Sequence, residues 1–324
     1  MRRTLKHKCI KGLLILICLV CCIAYGYQMY QYREGEAIYS EAEQLAELPE
    51  LPENREPSSE GETAGSEDKV TEPEQEPVPE PYVDPYAEAL RAMDFRALRE
   101  VNDEVLGWIL IPQTRLSYPV VQGDDNKYYL DRTWKKTKNS VGAIFMECTN
   151  SRDLSDFHTI IYGHRMNNRS MFGILLNYDD EAYYQKHPTV YLTDDNGTRA
   201  YEIFAAYEVG VTEPTYRLGL DTPELRTAFL EYCTKQSVIE TGVIPDIDDQ
   251  ILTLSTCTGD GHDTRWVVQA VLKHEEPEAE QEETVAEPEV QPEMPSEIQS
   301  EPEVQIEAEV QSEIQTEEET ADAQ

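Results

Sequence analysis

The chain has 324 residues, with 64 acidic against 27 basic residues and a formal net charge of -37. That excess repels phosphate and argues against nucleic acid as a partner. The acidity is concentrated in residues 34–81 and 275–324, which are rich in Glu, Pro, Gln and Ser and, Tyr39 apart, lack aromatics. Neither segment carries enough apolar surface to offset the entropy of ordering, so both are expected to be disordered. What remains, residues 82–274, is one domain's worth of chain.

The N-terminus carries the clearest topological signal. Residues 1–11 contain Arg2, Arg3, Lys6, Lys8 and Lys11, and residues 13–24 are wholly apolar. The run extends through Tyr25, Tyr27 and Tyr30, reaching the roughly twenty residues a membrane helix needs, with tyrosines at its outer interface. A single membrane helix is predicted over 12–32, with a cytoplasmic N-terminus 1–11 and an extracellular domain. A cleaved signal peptide is the rival, but Cys22-Ile23-Ala24 is a poor small-residue cleavage site. A lipid anchor on Cys22 is disfavoured by Cys21 before it. Outside the membrane only Cys148, Cys233 and Cys257 remain, so at least one thiol has no intramolecular partner.

Residues 33–81 read as an acidic Pro/Glu linker, self-repelling and extended. After Asp84-Pro85, the spacing of Ala89, Leu90, Met93, Leu98 and Val101 predicts one amphipathic helix over 85–101. Strand-like runs follow at 107–111, 118–121, 143–146, 159–162, 190–192 and 200–209, with Asp194-Asp195-Asn196-Gly197 as a hairpin turn. A short helix is expected at 171–176. A longer one begins after Asp221-Thr222-Pro223-Glu224, where Asp221 or Thr222 can cap and Pro223 suits the first turn. Two last strands cover 250–256 and 265–272. Many short strands with few helices point to a β-barrel or sandwich. The tail 275–324 repeats Glu-Pro-Glu-Val-Gln from 287 and 301, and reads as a low-complexity spacer.

The chemistry centres on Thr253-Leu254-Ser255-Thr256-Cys257 at a strand end, Arg265 opening the next strand, and Tyr162-Gly163-His164 ending another. A thiolate is the reactive form of cysteine, and a nearby imidazole or guanidinium favours it. Arg265 keeps its proton and suits an oxyanion; His164 can give a proton to a leaving amine and take one from an incoming nucleophile. The bland readings stand beside this one: a buried small residue at Cys257 and a turn residue at His164.

The residues around these motifs resemble the sortase family. Thr253-Leu254-Ser255-Thr256-Cys257 with Arg265-Trp266-Val267-Val268 is similar to its active-site strand pair, and Tyr162-Gly163-His164 to its histidine motif. Gly107-Trp108-Ile109, Tyr118-Pro119-Val120-Val121-Gln122, Asn126-Lys127-Tyr128-Tyr129-Leu130, Gly142-Ala143-Ile144-Phe145-Met146 and Ser170-Met171-Phe172-Gly173 resemble class B members in order, over about 86–273. The resemblance implies an all-β fold: a closed eight-stranded barrel with an N-terminal helical extension and a long helix before the last strand pair. It implies a cysteine transpeptidase without metal or organic cofactor, in which Cys257, His164 and Arg265 are catalytic and Ser255, Tyr162 and Thr256 line the substrate groove. Its substrates would be exported surface proteins bearing a C-terminal sorting signal, and its acceptor a peptidoglycan precursor amine or a pilin lysine. A non-catalytic barrel that binds sorting peptides is the alternative from another class. Trp266 and His158 depart from the pattern, where Phe and Asn would be expected.

Several residues compete on paper. His262 lies close to Cys257 in sequence, in the Gly259-Asp260-Gly261-His262 loop; it reads as a solvated loop residue. Cys148 has no motif around it. Asp194 and Asp195 lack the alternating spacing of a calcium loop and read as turn residues.

Overall fold

The computed structural model describes residues 2–52, 83–257 and 263–273, with side chains at 10–52, 83–256 and 263–273. The expected linker beyond residue 52, the loop carrying His262 and the tail 275–324 lie outside the described residues.

Eight strands close into a barrel: β1 (Val105–Leu110), β2 (Ser117–Val121), β3 (Ile144–Met146), β4 (His158–Tyr162), β5 (Thr189–Asp194), β6 (Gly197–Gly210), β7 (Ile251–Cys257) and β8 (Thr264–Leu272), in the order β1-β2-β3-β4-β7-β8-β6-β5. Closure leaves no free sheet edge and resolves the choice between barrel and sandwich. The β2–β3 and β4–β7 pairs are parallel. Alternation along the strands sorts the side chains into two cores. Leu252, Leu254, Val268 and Ala270 join the main core. Ile251, Val267 and Val271 point the other way, beneath α5 (Pro223–Gln236), with its Phe229, Leu230 and Cys233. A register shift in β6 between Ile203 and Ala205 lets Phe204 and Ala205 both serve the second core, while Ile203 and Ala206 serve the first. Thr222 caps α5 by accepting from Leu225 N, and Pro223 occupies the first turn.

The predicted helix over 85–101 is two: α2 (Pro85–Leu90) and α3 (Arg96–Val101). Asp94 separates them because its carboxylate accepts the Arg96 amide at 2.9 Å, while its own amide donates to Ala46 O. The region after His164 forms a 3-10 stretch, Phe172–Asp179, longer than expected, followed by α4 (Glu181–Lys186), which Asp180 caps.

The largest departure is at the N-terminus. α1 (Arg2–Leu45) runs unbroken through the apolar segment into what the sequence reads as linker. Its apolar part is long and hydrophobic enough to cross a membrane, with side chains from Ile10 to Tyr30 exposed. From Gln31 onward the helix docks on the barrel. Gln31, Tyr39, Ala42 and Ala46 are buried, and Gly35 lies against Val141. With spacings of four, four, three and four, these residues form a narrow stripe of one helix face. Trp134 Nε1 donates to Ile38 O, Tyr39 packs edge-on to Tyr118 at 5.2 Å, and Lys135 pairs with Glu41. The expectation of disorder from residue 33 is therefore corrected over 33–45. The acidic residues occupy the solvated faces of a helix whose small residues make the contact.

Candidate active site

Backbone register assembles the site. Tyr162 pairs with Ser255 in the parallel β4–β7 ladder, and Gly163 N continues it by donating to Ser255 O at 3.2 Å. His164 therefore emerges at the level of Cys257. Across the antiparallel β7–β8 pair, Cys257 is the partner of Arg265, Thr256 of Trp266 and Ser255 of Val267. Residues separated by about ninety positions in sequence thus share one rim of the barrel.

His164 is held from two sides. Its Nε2 donates to Leu130 O, and its own carbonyl accepts Phe172 N at 3.0 Å. Bonding to a carbonyl places the proton on Nε2 and leaves Nδ1 as the nitrogen that gains or loses a proton. Gly142 lies against the ring: a Cβ there would stand 2.7 Å from His164 Cδ2 and 2.9 Å from the Leu130 and Tyr129 carbonyl oxygens, and its φ is +61°. Both the contact and the backbone angle require glycine.

Arg265 is half-exposed, and its Nη1 donates to Thr264 O at 2.8 Å. Of the three residues expected to line a groove, Tyr162 is the one that is not fully buried. It is half-buried, packs on Phe145, and donates to Glu147 Oε2 at 2.9 Å. Burial and the adjacent Glu147 push its phenol well above the usual range. Ser255 is buried, its Oγ 2.9 Å from the Tyr216 hydroxyl. Thr256 is buried on the opposite face of β7, toward the barrel interior, because neighbouring residues alternate. Thr256 Oγ1 and Trp266 Nε1, on cross-strand partners, are buried atoms without a hydrogen-bond partner among the described residues.

Two residues near the site escape sequence reasoning. Glu147 accepts from Tyr162 and from Asn126 Nδ2 at 2.6 Å, and Cys148 Sγ lies 3.4 Å from its other oxygen. Burial opposes its charge, but these donors outweigh burial and hold the carboxyl below its ordinary range. Tyr216 is the other, covering Ser255. Neither carries a motif, and each acquires its role from contacts distant in sequence.

Two other thiols lie outside α1 among the described residues. Burial, then the Glu147 carboxylate, raises the Cys148 pKa. Burial pushes Cys233, on the inner face of α5, up to about 11. Both stay protonated and weakly nucleophilic at neutral pH. Asp194 pairs with Arg199, and Asp195 with Arg99. They border an open cavity of about 410 Å³. It lies at the other end of the barrel, since β6 runs from the Asp194–Gly197 turn to Val209, the partner of Arg265.

His158 is buried in a polar chain. Its Nδ1 donates to Arg217 O at 3.0 Å, and its Nε2 accepts from Thr253 Oγ1 at 2.8 Å. Thr253 Oγ1 in turn accepts from Gln269 Nε2, whose Oε1 accepts from Tyr207. A neutral imidazole fits this pattern, and burial lowers its pKa to about 4.

The strand register of the closed barrel brings positions 164, 257 and 265 to one rim. Comparison with known proteins supplies the family. The Sortase domain matches residues 109–273. The chain is 38% identical to Sortase B of Listeria monocytogenes over 186 residues, covering 55% of this chain and 74% of that protein. It is 31% identical to Sortase B of Staphylococcus aureus over 163 residues, covering 50% and 67%. Among solved structures, Staphylococcus aureus Sortase B superposes with a TM-score of 0.53 at 30% identity, over 55% of this chain and 86% of that one. Bacillus anthracis sortase B in complex with AAEK1 gives 0.58 at 28%, over 75% and 98%. The chain belongs to the sortase family, on the class B side, and is a cysteine transpeptidase.

Proposed function

We propose that the enzyme is a membrane-anchored extracellular transpeptidase that cleaves a C-terminal sorting signal and passes the acyl group to a cell-wall amine, with Cys257 as nucleophile. The observation that carries this reading is the register: Cys257 opposite Arg265, with His164 at the end of the adjoining parallel strand. The Cys257 thiolate attacks the carbonyl of the signal's threonine, and the carbonyl electron pair moves onto oxygen, where the Arg265 guanidinium stabilises it. Collapse reforms the carbonyl and breaks the C–N bond, while His164 Nδ1 gives the departing amine its proton. An acceptor amine then attacks the thioester, its proton passes to His164, and the thiolate leaves. Tyr162, fixed by Glu147, stands beside the groove. A similar sortase B has been crystallised with triglycine, which supports an amine acceptor. A Staphylococcus aureus sortase B–substrate complex supports a peptide-binding groove.

The apolar part of α1 is the anchor, with the basic residues 1–11 on the cytoplasmic side. At about 1.5 Å per residue, Tyr39 stands about 14 Å beyond Tyr30 along the helix. The active site is thus carried at a set height above the membrane.

The test uses the full chain in lipid nanodiscs, a panel of sorting-signal peptides, and mass spectrometry, with triglycine or a lysine-bearing pilin peptide as acceptor. An acyl adduct mapped to Cys257, absent in Cys257→Ala and released as an amine-linked product, supports the reading, and the acceptor used separates wall anchoring from pilus assembly. Peptide binding without any adduct would identify a scaffold instead.

A further inference from the structure

We propose that the juxtamembrane half of α1 is a positioning element for His164, acting through the turn at residues 139–142, with Tyr39 as its principal residue. This rests on the reading of His164 as the proton-transfer group.

The connection is continuous. The Tyr39 hydroxyl donates to Gly142 O at 2.6 Å, a buried bond joining residues 103 positions apart. Gly142 is the residue that touches the His164 ring and the Leu130 carbonyl to which that ring donates. Two further contacts fix the same turn from α1: Asn139 Nδ2 donates to Gln31 O, and Ser140 N to Gln31 Oε1, each at 3.2 Å. Gly35 packs on Val141 so closely that a Cβ would stand 2.9 Å from both of its methyl groups. The turn closes on itself through Gly142 N to Asn139 O, and joins the segment under the imidazole through Ala143 N to Tyr129 O. One face of α1 therefore holds every residue from 139 to 142, and that turn is the wall against which His164 is oriented. A general acid–base group misplaced by a fraction of an ångström loses rate without losing substrate binding. The helix that enters the membrane and the geometry of the imidazole are accordingly coupled.

The test uses the full chain in nanodiscs with ¹⁵N-histidine labelling, which reports the tautomer of His164, together with steady-state transpeptidation. Tyr39→Phe removes one hydroxyl and leaves the ring packing on Tyr118. Gly35→Ala adds one methyl against Val141, and the chain remains a good helix former. Each is expected to reduce the Nε2–H population of His164 and to lower kcat about fivefold, with KM unchanged. Glu41→Gln, which breaks the Lys135 ion pair away from this turn, should leave both readouts at wild type. His164 signals and kcat unmoved in both Tyr39→Phe and Gly35→Ala would overturn the coupling. His164→Ala, assayed in parallel, separates the two readings: near-wild-type turnover there would remove the catalytic assignment, whatever the tautomer signal does.

Discussion

Cys257 and Arg265 are cross-strand partners in the β7–β8 ladder, eight positions apart in sequence and joined by the loop that carries His262. Their pairing sets the backbone of Arg265 opposite that of Cys257. A bidentate fork serves an oxyanion better than a point charge in this arrangement. Arg265→Lys is expected to lower kcat/KM by about a hundredfold or more, with the melting temperature unchanged. Stopped-flow acylation with a fluorogenic sorting peptide measures it; activity within about twofold of wild type would remove Arg265 from the oxyanion role.

The buried imidazole of His158 makes stability depend on pH. Its pKa is about 4 in the fold against an ordinary value of 6.5. Above pH 6.5 neither state binds the proton; between 6.5 and 4 the unfolded chain binds it and the folded one does not. Stability therefore falls as pH drops through that window, by about 3 kcal/mol in total from this residue. Urea unfolding of wild type and His158→Asn at pH 7.5, 6, 5 and 4 gives the comparison. The difference between the two should shrink as pH falls, and a constant difference would contradict a neutral buried His158.

Glu147 holds Tyr162 with one oxygen and restrains Cys148 with the other. Removing its charge in Glu147→Gln should lower the Cys148 pKa and raise the rate of Cys148 alkylation at pH 8 by about threefold. Peptide mapping after timed iodoacetamide treatment reads the rate. An unchanged rate would mean that burial alone keeps the thiol protonated.

The docked half of α1 is expected to contribute to folding. It covers Tyr118, Trp134 and Val141, which are themselves buried. A chain beginning at residue 83 would expose them, at a cost of about 3–5 kcal/mol by area. That corresponds to a fall in melting temperature of roughly 10 °C for a domain of this size. A chain beginning at residue 28 should melt like the full chain, and equal melting of the two truncations would show that α1 adds nothing to stability.

Much of the barrel is legible in the chain because strands announce themselves locally. The alternation in Leu252-Thr253-Leu254-Ser255 and the caps at Asp84 and Thr222 act over a few residues, and they lie where the pattern places them. Apolar spacing reads 85–101 as a single helix because it does not register the Asx turn that Asp94 offers the backbone. The docked half of α1 is hidden for a different reason. Its stripe of Gly35, Ala42 and Ala46 is made of residues with little hydrophobic signal, and acidic neighbours on the other faces dominate the composition.

What the sequence by itself determined is the family and the strand ends at which Cys257, His164 and Arg265 lie, since short motifs and local periodicity encode these. Tertiary structure alone decided what surrounds them: Glu147 beneath Tyr162, Tyr216 over Ser255, and Tyr39 reaching Gly142 behind His164. Those contacts join residues 15, 39 and 103 positions apart. Barrel closure and helix docking create them, and no local pattern records which distant side chains will meet.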